Sequence, residues 1–259
     1  METLVQRALT ALVGHCRPEA VWLVGSAAAV DILARDVDLL VLLQSGAVSE
    51  EALLSTKDDL LATSCAKSDD SYRFSSNGLP DVSVAFMATD SVMHEVTIFA
   101  AGKNVAGERR YWAPGCRLPE AFMGDILAGK ILHSESCALS EMKHLLTPYP
   151  EAARKALLGY CEQEISAKLE LLEAFPDNEL NSAVVRGDLI IAFARAAYAV
   201  SGKYLRGLKR VEKTGLSLCS DGKALLYVAK TVASAHVHVP FDQIRSGLTH
   251  LRRLYGALE

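Results

Sequence analysis

The chain lacks most of the features that assign a sequence to a specialised class at once. Its six cysteines, Cys16, Cys65, Cys116, Cys137, Cys161 and Cys219, are scattered and form no C-x-x-C pair. Thiols used this way speak against a disulfide framework or a C-x-x-C zinc site and fit a reducing cytoplasm, where the protein is expected to reside. No apolar run approaches the roughly 20 residues of a membrane helix. The amphipathic start METLVQRALTALVGHCR has no long apolar core, so neither a signal peptide nor a membrane partner is expected. There is no excess of basic charge either. A formal net charge of −4 argues against a dominant partnership with nucleic acid, although a local basic patch would remain compatible with it. Repeats, low-complexity tracts and heptad runs are absent as well. What is present is ordinary globular composition, 50% hydrophobic and 22% charged over 259 residues, enough for two modest domains or one large one.

The most informative stretch runs from Val21 to Leu43, VWLVGSAAAVDILARDVDLLVLL. It reads as a strand over Val21–Val24, a Gly25-Ser26 turn, a short helical step, and a second strand carrying Asp36 and Asp38. Side chains alternate along a strand, so Asp36 and Asp38 share a face with Leu40 and Leu42, and Val37, Leu39, Val41 and Leu43 take the other. Two carboxylates side by side at the open end of a buried strand repel each other and are costly to desolvate. A hard divalent cation such as Mg2+ relieves that conflict, because it takes oxygen ligands and keeps room for water and phosphate. Gly25 permits a tight turn, and Ser26 opens a helix whose N–H groups could face a phosphate.

The surrounding pattern supplies a scaffold. Residues 2–13 have helical spacing, with Gly14 as a stop and Pro18 before the first strand. Ser49 opens a helix to about Ala62, with Leu53, Leu54, Leu60 and Leu61 as its packing face. Tyr72–Phe74 and Asp81–Met87 read as strands joined by Asn77-Gly78, a strong hairpin signal. Asp81 then starts a strand with an apolar opposite face. Asp90–Ala101 reads as a helix capped by Thr89, and Gly102–Arg117 as loop. Beyond Pro119 the periodicity becomes helical, with helices near 120–133, 137–146, 150–175, 180–201, 220–235 and 241–257. The expected architecture is α+β: residues 1–117 as an α/β domain with a mixed sheet, and residues 118–259 as an all-helical bundle.

Gly25-Ser26, then Asp36-Val37-Asp38 on a strand, then Asp81 on a later strand resemble the signature of the nucleotidyltransferase superfamily. That superfamily includes DNA polymerase β and the antibiotic (aminoglycoside and lincosamide) nucleotidyltransferases. The order of a small α/β domain before a helical domain resembles the antibiotic group. Gly129-Lys130-Ile131-Leu132-His133 looks like a short helix-to-loop motif of those enzymes. Arg186-Gly187-Asp188 and Tyr198 to Leu205 are similar to helical stretches of their second domains.

The resemblance implies an N-terminal catalytic domain and a helical domain that binds the acceptor. It implies Mg2+, two ions in the fullest form, held by Asp36, Asp38 and Asp81, with Asp81 also placed to accept the acceptor's proton. Gly25 and Ser26 would bind the nucleotide, and Lys203 and Lys209, in a basic stretch with Arg206 and Arg210, could reach the triphosphate. Glu108, Asp125 and Asp188 are the candidates for a separate base, each more readily read as an ordinary surface or capping acid. Tyr198, Tyr204 and Trp112 could stack on a ring, although aromatic residues of this kind more often belong to a core. The implied reaction moves a nucleoside monophosphate, AMP from ATP, onto a hydroxyl of a small molecule such as an aminoglycoside or lincosamide, with antibiotic resistance as its setting. Transfer to a protein or tRNA is the alternative within the enzyme class, and a catalytically silent nucleotide-binding module is the alternative outside it. A homodimer completing the cleft is compatible with the related enzymes. Arg245 and His250 match an R-x4-H nuclease pattern at a frequency chance would supply, and His236 and His238 have no partners at zinc-ligand spacing.

Overall fold

The computed structural model describes residues 2–24, 36–45, 47–68, 71–106, 118–175, 179–207, 211–235 and 239–258. The chain divides into two compact units. One comprises Met1–Thr97, Glu108–Arg117 and Phe122–Leu146; the other comprises Ile98–Gly107, Leu118–Ala121 and Thr147–Glu259.

The first unit is built on a six-stranded mixed sheet. Its strands are β1 (Ala20–Val24), β2 (Asp36–Leu43), β3 (Ser64–Ser68), β4 (Ser71–Ser75), β5 (Asp81–Ala88) and β6 (Lys130–Ser134), in the order β3-β4-β5-β2-β1-β6. β2 and β5 are parallel and every other neighbouring pair is antiparallel. The alternation read from sequence determines which face is which. Val37, Leu39, Val41 and Leu43 of β2, with Val82, Val84 and Phe86 of β5 and Phe74 of β4, form one buried cluster with Leu4, Ala8 and Leu12 of helix α1 (Glu2–Cys16). Leu40, Leu42 and Trp22 lie on the opposite face and are also buried.

Several local expectations change in three dimensions. α1 continues past Gly14 to Cys16, and the chain turns at Arg17, whose φ of 48° breaks the helix. Helix α2 (Glu50–Asp59) is capped by Ser49, whose side chain accepts from the Ala52 N–H at 3.1 Å. Its inward side chains are Ala52 and Thr56, followed by Leu60, whereas Leu54 and Leu61 face solvent. β3 is absent from the sequence reading; its sequence, SCAKS, has no alternating apolar pattern, because it is an edge strand exposed from Ser64 to Lys67. Helix α3 (Thr89–Ala100) begins at Thr89, whose hydroxyl donates to the Glu19 carboxylate instead of capping its own helix.

The helix expected over 120–133 stops early. Helix α4 (Pro119–Ala128) ends at Gly129, and Lys130–Ser134 pairs antiparallel with β1 as β6. A side chain at Gly129 would stand 2.9 Å from the Asp125 carbonyl and 3.3 Å from Val24, so the chain turns tightly here into the sheet edge. The segment read as a helix-to-loop motif is therefore a strand, and it belongs with the sheet unit, as does helix α5 (Ala138–Leu146).

The second unit contains helices α6 (Glu151–Ala174), α7 (Glu179–Val200), the short α8 (Val211–Gly215), α9 (Ser220–Ser234) and α10 (Phe241–Gly256). Residues 191–199 of α7 are buried on every side, which marks it as the central helix, and it packs against α6 and α9. No helix of the described residues is long and apolar enough to cross a membrane.

Candidate active site

The acids come together through strand register. β2 and β5 run parallel with Asp36 opposite Asp81 and Asp38 opposite Ser83. Directly paired residues point to the same side, and Asp38 lies two residues along from Asp36. Asp36, Asp38, Asp81 and Ser83 therefore share one face at one end of the sheet. Strand spacing puts Asp36 and Asp81 about 5 Å apart at the backbone, and Asp36 and Asp38 about 7 Å apart. All three acids are half-buried, while the intervening Val37 and Val82 are fully packed on the other face. The local sequence explains this placement: β5 enters its strand straight after the β4–β5 hairpin, where Gly78 takes a φ of 78°. The hairpin fixes the register of β4 on β5, and the parallel pairing of β5 with β2 sets Asp81 against Asp36.

Val24, the last described residue before Gly25, pairs with Asp38 across β1 and β2. The chain thus leaves β1 beside the acids on its way to Gly25 and Ser26, which themselves lie outside the described residues, as do Lys209, Arg210, Glu108 and Trp112.

The donor set suits a hard divalent cation. It consists of carboxylate oxygens with a serine hydroxyl beside them and no imidazole or thiolate on the same strands' face, which is the chemistry of Mg2+. Among the described residues no three His, Cys, Asp or Glu side chains converge on one point. Backbone register places the three acids on one face, where a cation would offset their mutual repulsion.

The remaining candidates occupy the second unit or the structural interior. The Lys203 ammonium donates to the Ser217 carbonyl at 2.6 Å, tying the end of α7 to the turn before α9. Asp188 pairs with Lys168 at 2.6 Å, and Asp125 lies half-buried in α4 with its carbonyl accepting from Gly129. The Tyr198 ring is buried and its hydroxyl meets Thr214. Tyr204 stacks on Tyr149 at 4.5 Å, with Phe99 beside both. Both tyrosines belong to packing. Arg245 pairs with Glu173 at 2.7 Å and His250 with Asp221 at 3.1 Å, so the R-x4-H pair is engaged in separate surface contacts. His236 and His238 lie outside the described residues.

One polar constellation has no counterpart in the sequence reading. Arg195, 3% exposed, sits in the apolar run of α7 and meets Glu120, 1% exposed, at the start of α4. The guanidinium donates to both carboxylate oxygens, from Nε at 2.5 Å and Nη2 at 3.0 Å. It also donates to the Val105 carbonyl and, at 3.0 Å, to the Ala106 carbonyl, and it lies 5.2 Å from the Tyr160 ring centroid. Burial is the largest effect and works against its charge, but Glu120, Cys161 and Tyr160 together outweigh it and hold the guanidinium above its usual range. Nearby Cys161, fully buried, has its thiol pushed up to about 12, by burial first and against the opposing pull of Arg195. A lone arginine in ARAAYA was the available signal: a charge inside a helix apolar on all sides must have a buried partner.

No known protein-family profile matches the chain, and no curated protein matches it. Among solved structures it is similar to a nucleotidyltransferase-like protein from Exiguobacterium sibiricum, with 14% sequence identity and a TM-score of 0.49, over 97% of this chain and 74% of that one. At that distance the functional case is carried by the strand register and the acids it aligns.

Proposed function

We propose that the protein is a metal-dependent nucleotidyltransferase whose active site is the carboxylate face of β2 and β5. The observation that supports this most is the parallel pairing of Asp36 with Asp81, with Asp38 on the same face of the same strand. A structural sheet gains nothing from aligning three acids at one end, because each raises the cost of the others.

Mg2+ bound there would screen the triphosphate and lower the pKa of the attacking hydroxyl. Asp36 and Asp38 would hold the ion and orient the phosphates. Asp81 closes the set beside the acceptor and takes the hydroxyl proton. The acceptor oxygen bonds to the α-phosphorus, the bond from α-phosphorus to the bridging oxygen breaks, and pyrophosphate leaves. The chain's work is positioning and charge stabilisation. Gly25 and Ser26, which follow β1 in the sequence, would cradle the nucleotide. The donor is ATP, and the acceptor is a hydroxyl-bearing small molecule of aminoglycoside or lincosamide type.

The test is pyrophosphate release from each NTP with Mg2+ across a panel of such acceptors, for wild type and for Asp38→Ala. Acceptor-dependent release that disappears in the variant supports the reading and starts to name the substrate. Metal-dependent nucleotide binding without release on any small acceptor moves the acceptor to a protein or RNA. Absence of nucleotide binding refutes the reading.

A further inference from the structure

In-line displacement fixes where the two substrates of a nucleotidyl transfer must lie, because the attacking hydroxyl and the departing pyrophosphate stand on opposite sides of the α-phosphorus. The sheet order puts β1, which leads to Gly25 and Ser26, on one side of the acid-bearing β2 and puts β5 and then β4 on the other. With the nucleotide on the β1 side, the acceptor belongs beside Asp81, over β5 and β4.

That side carries a cation. β4 pairs antiparallel with β5, with Arg73 opposite Ser83, and Ser83 is opposite Asp38 across β5 and β2. Arg73, Ser83 and Asp38 therefore form one cross-strand row on the acids' face, with Arg73 about 10 Å from Asp38 at the backbone. Asp81 is the diagonal neighbour of Arg73 on β5, about 7–8 Å away. Tyr72 and Phe74, before and after Arg73 in β4, pack with the opposite, apolar face. The lysines on the described strands belong to that opposite face too. Lys67 pairs with Tyr72 and lies 5.8 Å from its ring, and Lys130 pairs with Leu23. The neighbours of Arg73 on its own face are small, with Ser71 on β4 and Ser83 and Ala85 on β5. Arg73 is exposed and has no hydrogen-bond or ion-pair partner among the described residues.

We propose that Arg73 is a specificity-determining residue for the acceptor: its guanidinium takes two adjacent oxygens of the acceptor, beside the hydroxyl that reacts at Asp81, and disfavours acceptors carrying several ammonium groups. This rests on the nucleotidyl-transfer reading of the acids. The planar fork offers paired N–H donors to two neighbouring oxygens, such as vicinal sugar hydroxyls, which a lysine's point charge does not. Its charge is permanent, so it repels ammonium groups that approach the same floor. Between the two acceptor types, this favours the lincosamide, whose sugar presents adjacent hydroxyls, over the polycationic aminoglycoside.

The experiment is steady-state pyrophosphate release from ATP and Mg2+ with lincomycin or kanamycin as acceptor, for wild type, Arg73→Gln, Arg73→Lys and Arg73→Glu, beside calorimetric binding of ATP with Mg2+. Arg73 is exposed, so its variants should fold, and circular dichroism checks that they do. Wild type should prefer lincomycin. Losing a charge-assisted contact should raise KM for lincomycin by about 10- to 100-fold in Arg73→Gln, with kcat and the KM for ATP little changed and partial recovery in Arg73→Lys. Arg73→Glu should move the ratio of kcat/KM values toward kanamycin by on the order of 10-fold more than Arg73→Gln does. If wild type prefers kanamycin, or if Arg73→Gln leaves KM for lincomycin unchanged, the assignment of Arg73 fails and the acid site stands. A rise confined to the KM for ATP overturns it as well, because the arginine then serves the donor. Mg2+-dependent ATP binding without release on either acceptor also sinks the assignment and leaves the acids standing. If wild type binds no nucleotide, the reading of the acids falls, and this inference falls with it.

Discussion

Arg195→Met should be one of the most damaging single changes in the second unit, and its cost should depend on pH in a way that identifies the cause. The substitution keeps bulk but leaves Glu120 buried without its partner and leaves the Val105 and Ala106 carbonyls without the donors that satisfy them. A stranded carboxylate can escape by taking a proton. At pH 7 that costs about 1.4 kcal/mol for each unit between the pH and an ordinary glutamate pKa of about 4.3, or about 4 kcal/mol. This agrees with the 3–5 kcal/mol typical of breaking a buried pair from one side. The two orphaned carbonyls add roughly 1–3 kcal/mol each at any pH. In the variant the folded-state pKa of Glu120 lies above its unfolded value, so the charge penalty is absent below about pH 4.3 and grows as pH rises. Urea unfolding followed by far-ultraviolet circular dichroism at pH 5 and pH 7.5 should therefore show a penalty that shrinks by about 3 kcal/mol toward the acid end. Glu120→Gln strands the guanidinium instead, which does not deprotonate, so its penalty should stay level over the same range. Penalties under about 1 kcal/mol, or equal pH slopes for the two variants, would refute the assignment of a buried, mutually dependent pair.

Other consequences follow from single positions. Cys161 stays protonated in the folded state up to about pH 12, against an ordinary thiol near 9, so its contribution is intact below pH 9 and lost as pH rises toward 12. Cys161→Ala should reduce the alkaline loss of stability by about 1.4 kcal/mol per pH unit, measured as urea midpoints between pH 9 and 10.5. An unchanged slope would mean that the thiol ionises freely. A side chain at Gly222 would press on Ser201 and stand 2.6 Å from the Ala197 carbonyl, so Gly222→Ala should push α9 off α7 and cost about 1–3 kcal/mol. Gly187 lies inside α7 with nothing within 4 Å of an added methyl, so Gly187→Ala should stabilise by about 0.5–1 kcal/mol, and thermal melts of the two variants should move in opposite directions.

The Val21–Leu43 stretch determined most of what matters here by itself. Period-two alternation in DVDLLVLL sets two acids on one face and a valine–leucine ridge on the other, because a strand has only two sides. The Asn77-Gly78 hairpin was equally legible, since a positive φ at that turn favours glycine. The four long helices after Leu146 followed from their proline and glycine punctuation, whereas the short α8 did not. Other features depend on contacts between segments distant in sequence. The parallel pairing that sets Asp81 beside Asp36, the conversion of Lys130–Ser134 from expected helix to edge strand, and the row from Arg73 through Ser83 to Asp38 are products of register between strands. A sequence carries no local signal for register across a crossover. The Glu120–Arg195 pair, 75 residues apart, is the same kind of fact. The chain announces that a buried arginine must have a partner, and only the packing of helices decides which acid it is.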